Sequence, residues 1–418
     1  MTLDRRTLLQ TALAGGVLHA VSESSGAEDR PSVSIEQLLQ SAARPVLHVP
    51  ELKSPVKIAS IELLRNGRRF LVRARSTDGA EGLIVANDDR LIDLYTILLR
   101  RVIPFFIGKD ARELDSLVDG VYAHDSNYKM QGLALWVPVA SVEFALLDMM
   151  AKMVGKPIGE LLGGVVRRDV AVYRASGNRG NTPEVEIEYL QKLVAETGAK
   201  AIKFRLGGRM SKNRDSLPGR TERLIPLVRK TFGDKMTLYA DSNSSYDVPE
   251  AIRIGRIMEE HNYGFFEEPC EFDDLWGTKQ VADTLMIPIA LGEQEGSVRR
   301  FQWQIQHRAA DIVQPDLHYY GGFIRSIRVA RMAAVAGMPC TLHMSGSGLG
   351  YLDVLHFASC VPNIGAYQEF KGESDIPFTC ESSTLKCRDG IVRVPSGPGF
   401  GITIDPEFVR KAQKVAAA

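Results

Sequence analysis

From Val170 onward the chain alternates two kinds of segment: short runs in which most positions are apolar, and longer stretches in which apolar residues recur three and four apart. The short runs are VAVYRA, AIKFRL, TLYAD, GFFEEP, IALGEQ, DIVQPDLH, PCTLHMS and AYQEF. They read as strands of a parallel sheet, because a strand covered on both faces is apolar nearly throughout. The longer stretches read as amphipathic helices. One is opened by Thr182 and Pro183 as N-cap and first helical residue, one lies around Glu222 to Phe232, and AIRIGRIMEEH follows the cap Asp247 and Pro249. Eight such strands alternating with helices predict a (β/α)-barrel over residues 169–375.

Upstream the period changes. VKIASIELLRNGRRFLVRARSTDGAEGLIVA alternates apolar and polar residues around turn signals at Asn66-Gly67 and Asp78-Gly79, which predicts an antiparallel meander. Helices follow, the clearest being VASVEFALLDMMAKMVG. Strands then helices make an α+β domain over 55–168, preceded by a polar arm at 28–54. The tail at 376–418 includes CRDGIVRVPSGPGFGITID, which is rich in Gly and Pro and lacks the βα period. It is expected to return to the first domain.

The amino terminus differs in kind. Arg5-Arg6 precede TLLQTALAGGVLHA, and Ser25-Gly26-Ala27 offers a small-residue cleavage site, so residues 1–27 read as a twin-arginine export signal. The mature chain is then expected outside the cytoplasm, in the periplasm or beyond. No other run is expected to approach membrane-spanning length. Lys+Arg and Asp+Glu both number 51, so no global field points to nucleic acid or to an anionic membrane. The five cysteines form no CxxC pair and read as free thiols, with Cys380 and Cys387 near enough in sequence to pair.

Polar side chains stand at the ends of the barrel strands. Asp241, Glu267 and Glu293 are 26 residues apart (267 − 241 and 293 − 267), about one βα unit each, followed by Asp316, His343 and Glu369. The carboxyl ends of barrel strands converge on one face, where active sites sit. Three carboxylates meeting there repel one another unless a cation neutralises them, and all-oxygen ligation favours a hard ion such as Mg²⁺. Lys203 and Arg205 end the second strand on one side of it, across the barrel from His343. Asp316, one strand earlier, is placed to orient the imidazole as a base. Such a set suits removal of a proton α to a carboxylate, with the metal stabilising the enediolate. The segment GGRMSKNRDSLPGR exceeds an ordinary βα loop. It carries Arg209, Lys212, Arg214 and Arg220 against Asp215, enough to steer an anion or to meet another subunit.

Asp241-Ser-Asn243, Phe266-Glu267-Glu268-Pro269, Gly292-Glu293-Gln294, Pro315-Asp316, His343 and Glu369 together resemble the enolase superfamily, and within it the mandelate racemase group. The resemblance covers about residues 55 to 405. It implies a modified TIM barrel, (β/α)₇β, closed by an α+β capping domain. It further implies Asp241, Glu267 and Glu293 as Mg²⁺ ligands, His343 with Asp316 as base and later acid, and Glu369 as a protonated donor to the oxyanion. Lys203 matches the first lysine of the group's K-x-K pair, facing the substrate carboxylate, and Asn243 matches a polar position beside the substrate. Barrels of this type form symmetric assemblies, so a homo-oligomer acting on a small carboxylate is expected.

The second lysine of that pair, the opposite-face base of racemases, is here Arg205. A guanidinium stays protonated at physiological pH. One-base chemistry therefore leads: dehydration of an aldonate or aldarate to a 2-keto-3-deoxy acid. Racemisation or epimerisation of a 2-hydroxy or other α-substituted acid is the alternative, and a sugar-acid binder without turnover is the third.

Overall fold

The computed structural model describes residues 33–346, 349–372 and 374–416. The export signal expected at 1–27 lies outside the described residues. The arm that follows is not irregular: Ser34 caps a helix, Ile35–Ala43, whose Gln37 side chain returns the hydrogen bond to the cap backbone. That helix lies on the barrel helix Phe323–Val335.

The amino-terminal sheet is a meander of β1 (Ile58–Asn66), β2 (Arg69–Ser76) and β3 (Glu81–Val85). β1 and β2 meet at the pair Asn66 and Arg69 around a two-residue turn, where Gly67 takes φ +59°. The helix Leu133–Met153 crosses β2 and β3. Gly82 permits the approach, since a Cβ there would lie 2.0 Å from the Ala145 carbonyl oxygen. This helix corrects one expectation: its 21 residues are long and apolar enough to span a bilayer by length and composition. They are buried against protein instead, from Leu135 to Ala151.

The barrel runs β4 (Asp169–Ala175), β5 (Ala201–Arg205), β6 (Thr237–Asp241), β7 (Phe265–Glu267), β8 (Ile289–Leu291) and β9 (Ile312–Val313), with β10 (Gln368–Phe370) beside β4. All these neighbours are parallel. The gap between β9 and β10 is filled by the segment around Cys340–His343, which has no ladder. Its strand pairing consists of single bridges: Val313 to Cys340, Asp316 to His343 and Cys340 to Ile364. Eight staves thus close the ring. Thr182 caps the helix Pro183–Thr197 and Asp247 caps Val248–Glu260, as their sequences require. Stacked Tyr239 and Phe265, with ring centroids 3.8 Å apart, help fill the barrel interior below the mouth.

The tail serves both layers. β11 (Phe378–Thr379) pairs with β13 (Thr403–Ile404), β12 (Ile391–Arg393) lies antiparallel on β4, and β14 (Gln413–Lys414) adds an edge to β1. All five cysteines are free thiols.

Candidate active site

The ladder registers set the heights of the functional groups. Arg205 on β5 is paired with Asp241 on β6, and Asp241 with Glu267 on β7, so adjacent strands bring three of them to one level. One oxygen each from Asp241, Glu267 and Glu293 lies within 4.8 Å of the others, and all three residues are buried. Some of their oxygens are satisfied: Asp241 Oδ1 accepts from the Asn243 amide at 2.6 Å, Glu293 Oε1 from Gln294 at 2.9 Å, and Glu267 Oε2 from Gln314 at 3.1 Å. Asp241 Oδ2 and Glu293 Oε2 have no hydrogen-bond partner, although the Arg205 guanidinium lies against the former as an ion pair. Buried carboxylate oxygens left without donors are costly, and a hard divalent ion is the acceptor-rich site's natural complement. The donor set therefore fits Mg²⁺.

On one flank stands His343. His343 Nδ1 is 2.8 Å from Asp316 Oδ2, and Nε2 points to the triad, 3.3 Å from Glu293 Oε2. The other Asp316 oxygen accepts from the amides of His318 (2.8 Å) and Tyr319 (2.9 Å) and from Ser345 Oγ (2.9 Å). With Asp316 so fixed, its free oxygen holds the proton on Nδ1 and leaves Nε2 to take another. Burial raises the Asp316 carboxyl most, but the bond to His343, the charges of His343 and His318 and the Tyr319 amide together outweigh it, and the group is held below its ordinary range. Burial alone would lower the His343 imidazole; Glu293 and Asp316 more than offset that and raise it. The capping domain reaches this flank as well. Asn87 donates to Ser345 Oγ at 2.9 Å, and Arg90 to the Tyr319 hydroxyl at 2.9 Å.

The opposite flank is cationic. Lys203 is fully buried between Glu267, at 2.7 and 2.9 Å, and Glu369, at 3.6 Å. Burial would lower its ammonium, but those carboxylates raise it well above the ordinary lysine value. Glu369 differs from the expectation of a protonated donor. Burial would raise its carboxyl, yet Lys203, Lys371 and His343 hold it below the ordinary range, and its Oε2 accepts from the Met344 amide at 2.8 Å. In this geometry it accepts a hydrogen bond from the backbone and donates none. Asn243, at φ +41°, offers its amide nitrogen to Glu268 at 3.1 Å and its carbonyl to Arg205 at 3.3 Å.

The long loop needs one correction. Arg220 is buried at the start of the helix Arg220–Phe232, where its guanidinium holds the carbonyls of Asn178, Asn181 and Arg205. It braces the barrel rim and does not face a ligand. Lys212 and Arg214 point to solvent, whereas Arg209 leans over the mouth onto Asn243. Sequence reasoning missed Gln314, Ser345, Asn87 and Arg179 as parts of this site. Gln314 alone carried a signal, as a polar residue inside the DIVQPD strand.

A triad with unmet oxygens, flanked on one side by His343 on an Asp316 carboxylate fixed through three donors and on the other by paired cations, lies at the mouth of a capped barrel. A match to the family described as Enolase C-terminal domain-like spans residues 186–408, and the chain belongs to that family. Among curated relatives, arabinonate dehydratase of Saccharolobus solfataricus is 28% identical over 75% of this chain and 82% of its own. D-galactarolactone cycloisomerase of Agrobacterium fabrum is 30% identical over 72% and 80%. L-talarate/galactarate dehydratase of Salmonella typhimurium is 28% identical over 82% of each. Among solved structures, a candidate racemase from Roseobacter denitrificans superposes with a TM-score of 0.79 at 36% identity, over 86% of this chain and 99% of that one. A mandelate racemase/muconate lactonizing protein from Paracoccus denitrificans, complexed with magnesium, gives 0.78 at 25% identity over 87% and 100%.

Proposed function

We propose that this protein is a Mg²⁺-dependent dehydratase of a sugar acid, giving a 2-keto-3-deoxy acid. The observation that carries the reading is the asymmetry of the mouth. His343 is equipped as a base, whereas Lys203 and Arg205, across from it, hold their protons among carboxylates. Racemisation needs a proton acceptor on each face of the α-carbon; dehydration needs one. Mg²⁺ held by Asp241, Glu267 and Glu293 supplies the positive charge that stabilises negative charge developing on the substrate carboxylate. His343 Nε2 removes the α-proton, Asp316 stabilises the imidazolium so formed, and His343 returns the proton to the departing β-hydroxyl, which leaves as water. The enol then tautomerises to the keto acid. Relatives named arabinonate dehydratase and L-talarate/galactarate dehydratase support this class of substrate.

The test is a library of aldonates and aldarates incubated with the Mg²⁺-loaded protein and assayed for semicarbazide-reactive keto acid. Turnover of at least one member is expected; folded, Mg²⁺-binding protein that turns over none sinks the reading. The Roseobacter denitrificans neighbour favours a racemase as second reading. In deuterated water that alternative gives α-deuteration with inversion and no keto acid. Export is proposed on Arg5-Arg6 and the apolar stretch behind them. Amino-terminal sequencing of the native protein should begin near Glu28, and an intact start at residue 2 refutes export.

A further inference from the structure

Three guanidinium groups converge beside the triad on a single acceptor. The Asn243 side-chain carbonyl takes Arg205 Nη1 and Arg209 Nη2 at 3.3 Å each, and Arg179 Nη2 as well. They come from three places: the loop after β4, the end of β5, and the long loop beyond it. One amide oxygen cannot neutralise three cations. Among the described residues the one carboxylate in an ion pair with any of them is Asp241, which also belongs to the triad. The Nε atoms of Arg179 and Arg205 are buried and have no hydrogen-bond partner, and Arg205 is only 5% exposed. Burial, and then the charges of Arg205, Arg209 and Arg220, pushes the Arg179 guanidinium down to about 9. Unlike Arg220, whose donors all reach backbone carbonyls, this trio has donors and charge left over.

The backbone is arranged to keep it so. Arg209 and Met210 take φ +63° and +47°, and Lys212 and Asn213 take +51° and +67°, a run of left-handed non-glycine residues that is costly without compensation. The run is zipped onto the next loop: Met210 N donates to the Asn243 carbonyl at 3.0 Å, Asn213 N to that of Ser245 at 2.8 Å, and Arg209 N to Ser245 Oγ at 2.9 Å. The strain thus fixes the Arg209 backbone at the rim, from which its exposed side chain reaches Asn243.

We propose that Arg179, Arg205 and Arg209 form a subsite for a second anionic group on the substrate, so that the acid turned over carries two anionic groups. A guanidinium suits either a carboxylate or a phosphate, since both accept its paired N–H donors. The two sources of that chemistry are an aldarate and a phosphorylated aldonate. The proposal rests on the dehydratase reading for the word substrate, but the subsite itself is measurable without turnover.

The experiment is calorimetric binding to Mg²⁺-loaded His343→Asn protein, which keeps the arginines, using gluconate, galactarate and 6-phosphogluconate. A dianion is expected to bind about 10- to 100-fold more tightly than gluconate, the gain typical of added charge-assisted hydrogen bonds. Added salt should shrink it. Preference for galactarate identifies a carboxylate and preference for 6-phosphogluconate a phosphate. Arg179→Met and Arg209→Met, made in the same background, should bring the ratio of dianion to gluconate affinity towards one. Wild-type thermal shifts with unreactive adipate against hexanoate serve if the His343 variant folds poorly. Equal binding of all three acids, or a preference that survives both arginine substitutions, overturns the subsite. A selective dianion site in protein that dehydrates nothing keeps the subsite and removes the dehydratase reading instead.

Discussion

Among the buried acids of the described residues, those at the barrel mouth and those at the seam with the capping domain differ in how their oxygens are met. At the seam, Glu143 on the long cap helix accepts from the Phe323 amide at 2.6 Å and the Ile324 amide at 3.0 Å, so both oxygens cap the helix Phe323–Val335. Asp148, one turn on, accepts from the amides of Phe400 and Leu83 and from Lys152. At the mouth, Asp241, Glu268, Glu293 and Glu369 each keep one oxygen without a hydrogen bond. Burial is equal in the two groups; satisfaction is not. At the seam the fold supplies every partner, which marks a structural role; at the mouth the oxygens without donors are left to be met from outside.

The sharpest way to break that comparison is at the base. His343→Asn should lower turnover by about 10⁴-fold, the upper range for a general base, while leaving the Mg²⁺-induced rise in melting temperature in place. Full activity in this variant would leave the barrel assignment intact and the choice of base wrong. Next is Glu293→Gln, expected to abolish that Mg²⁺ response and to lower activity about 10³-fold, since a ligand to a Lewis acid contributes several kcal/mol. Its metal-free melting temperature should not fall, because the carboxylate removed has an unmet oxygen. A clear loss of metal-free stability would mean that Glu293 is structural after all.

Glu143 sharpens the seam side. Burial raises its carboxyl from the ordinary 4.5 to about 8. Between those values the folded chain holds a proton that the unfolded chain has released, so stability should fall as pH rises from 5 to 8, by about 3 kcal/mol from this group. Denaturant melts of wild type and Glu143→Gln across that range should show the wild-type slope flatten in the variant; parallel curves would contradict the assignment. The smallest effect joins the two regions. Asn87→Ala removes the cap's hydrogen bond to Ser345, itself bonded to Asp316, and should lower kcat about tenfold with Mg²⁺ affinity unmoved. Equal kcat would mean that the cap does not position the dyad.

The mouth was legible in the sequence because a parallel barrel converts linear spacing into a ring. Asp241 and Glu267 end their strands, Glu293 and Asp316 follow theirs closely, His343 closes the last stave, and these ends meet. The rest depends on partners far apart in the chain. Glu143 meets Phe323, 180 residues away, and nothing around VEFALL distinguishes it from an acid on a solvated helix face. Arg220 and Arg209 stand eleven residues apart in one cationic segment, yet one is buried against carbonyls and the other faces the site. Only the path of the loop separates them. The helix Ile35–Ala43 was hidden because a segment of 9 residues is too short to be helical by propensity and becomes so through its capping box and the face of Phe323–Val335 it covers.

The stave that carries His343 is the one without a ladder. Its neighbours reach it through single bridges at Cys340 and His343, and its end is gripped by the Glu369 carboxylate on the Met344 amide and by the Asp316–His343 bond. Catalytic groups therefore serve as the clasp of the ring, and local opening of the barrel and loss of the base are one event. Selection for a faster or differently aimed base in such a protein acts at once on the lifetime of the closed barrel. The residue that does the chemistry cannot drift independently of the fold that holds it.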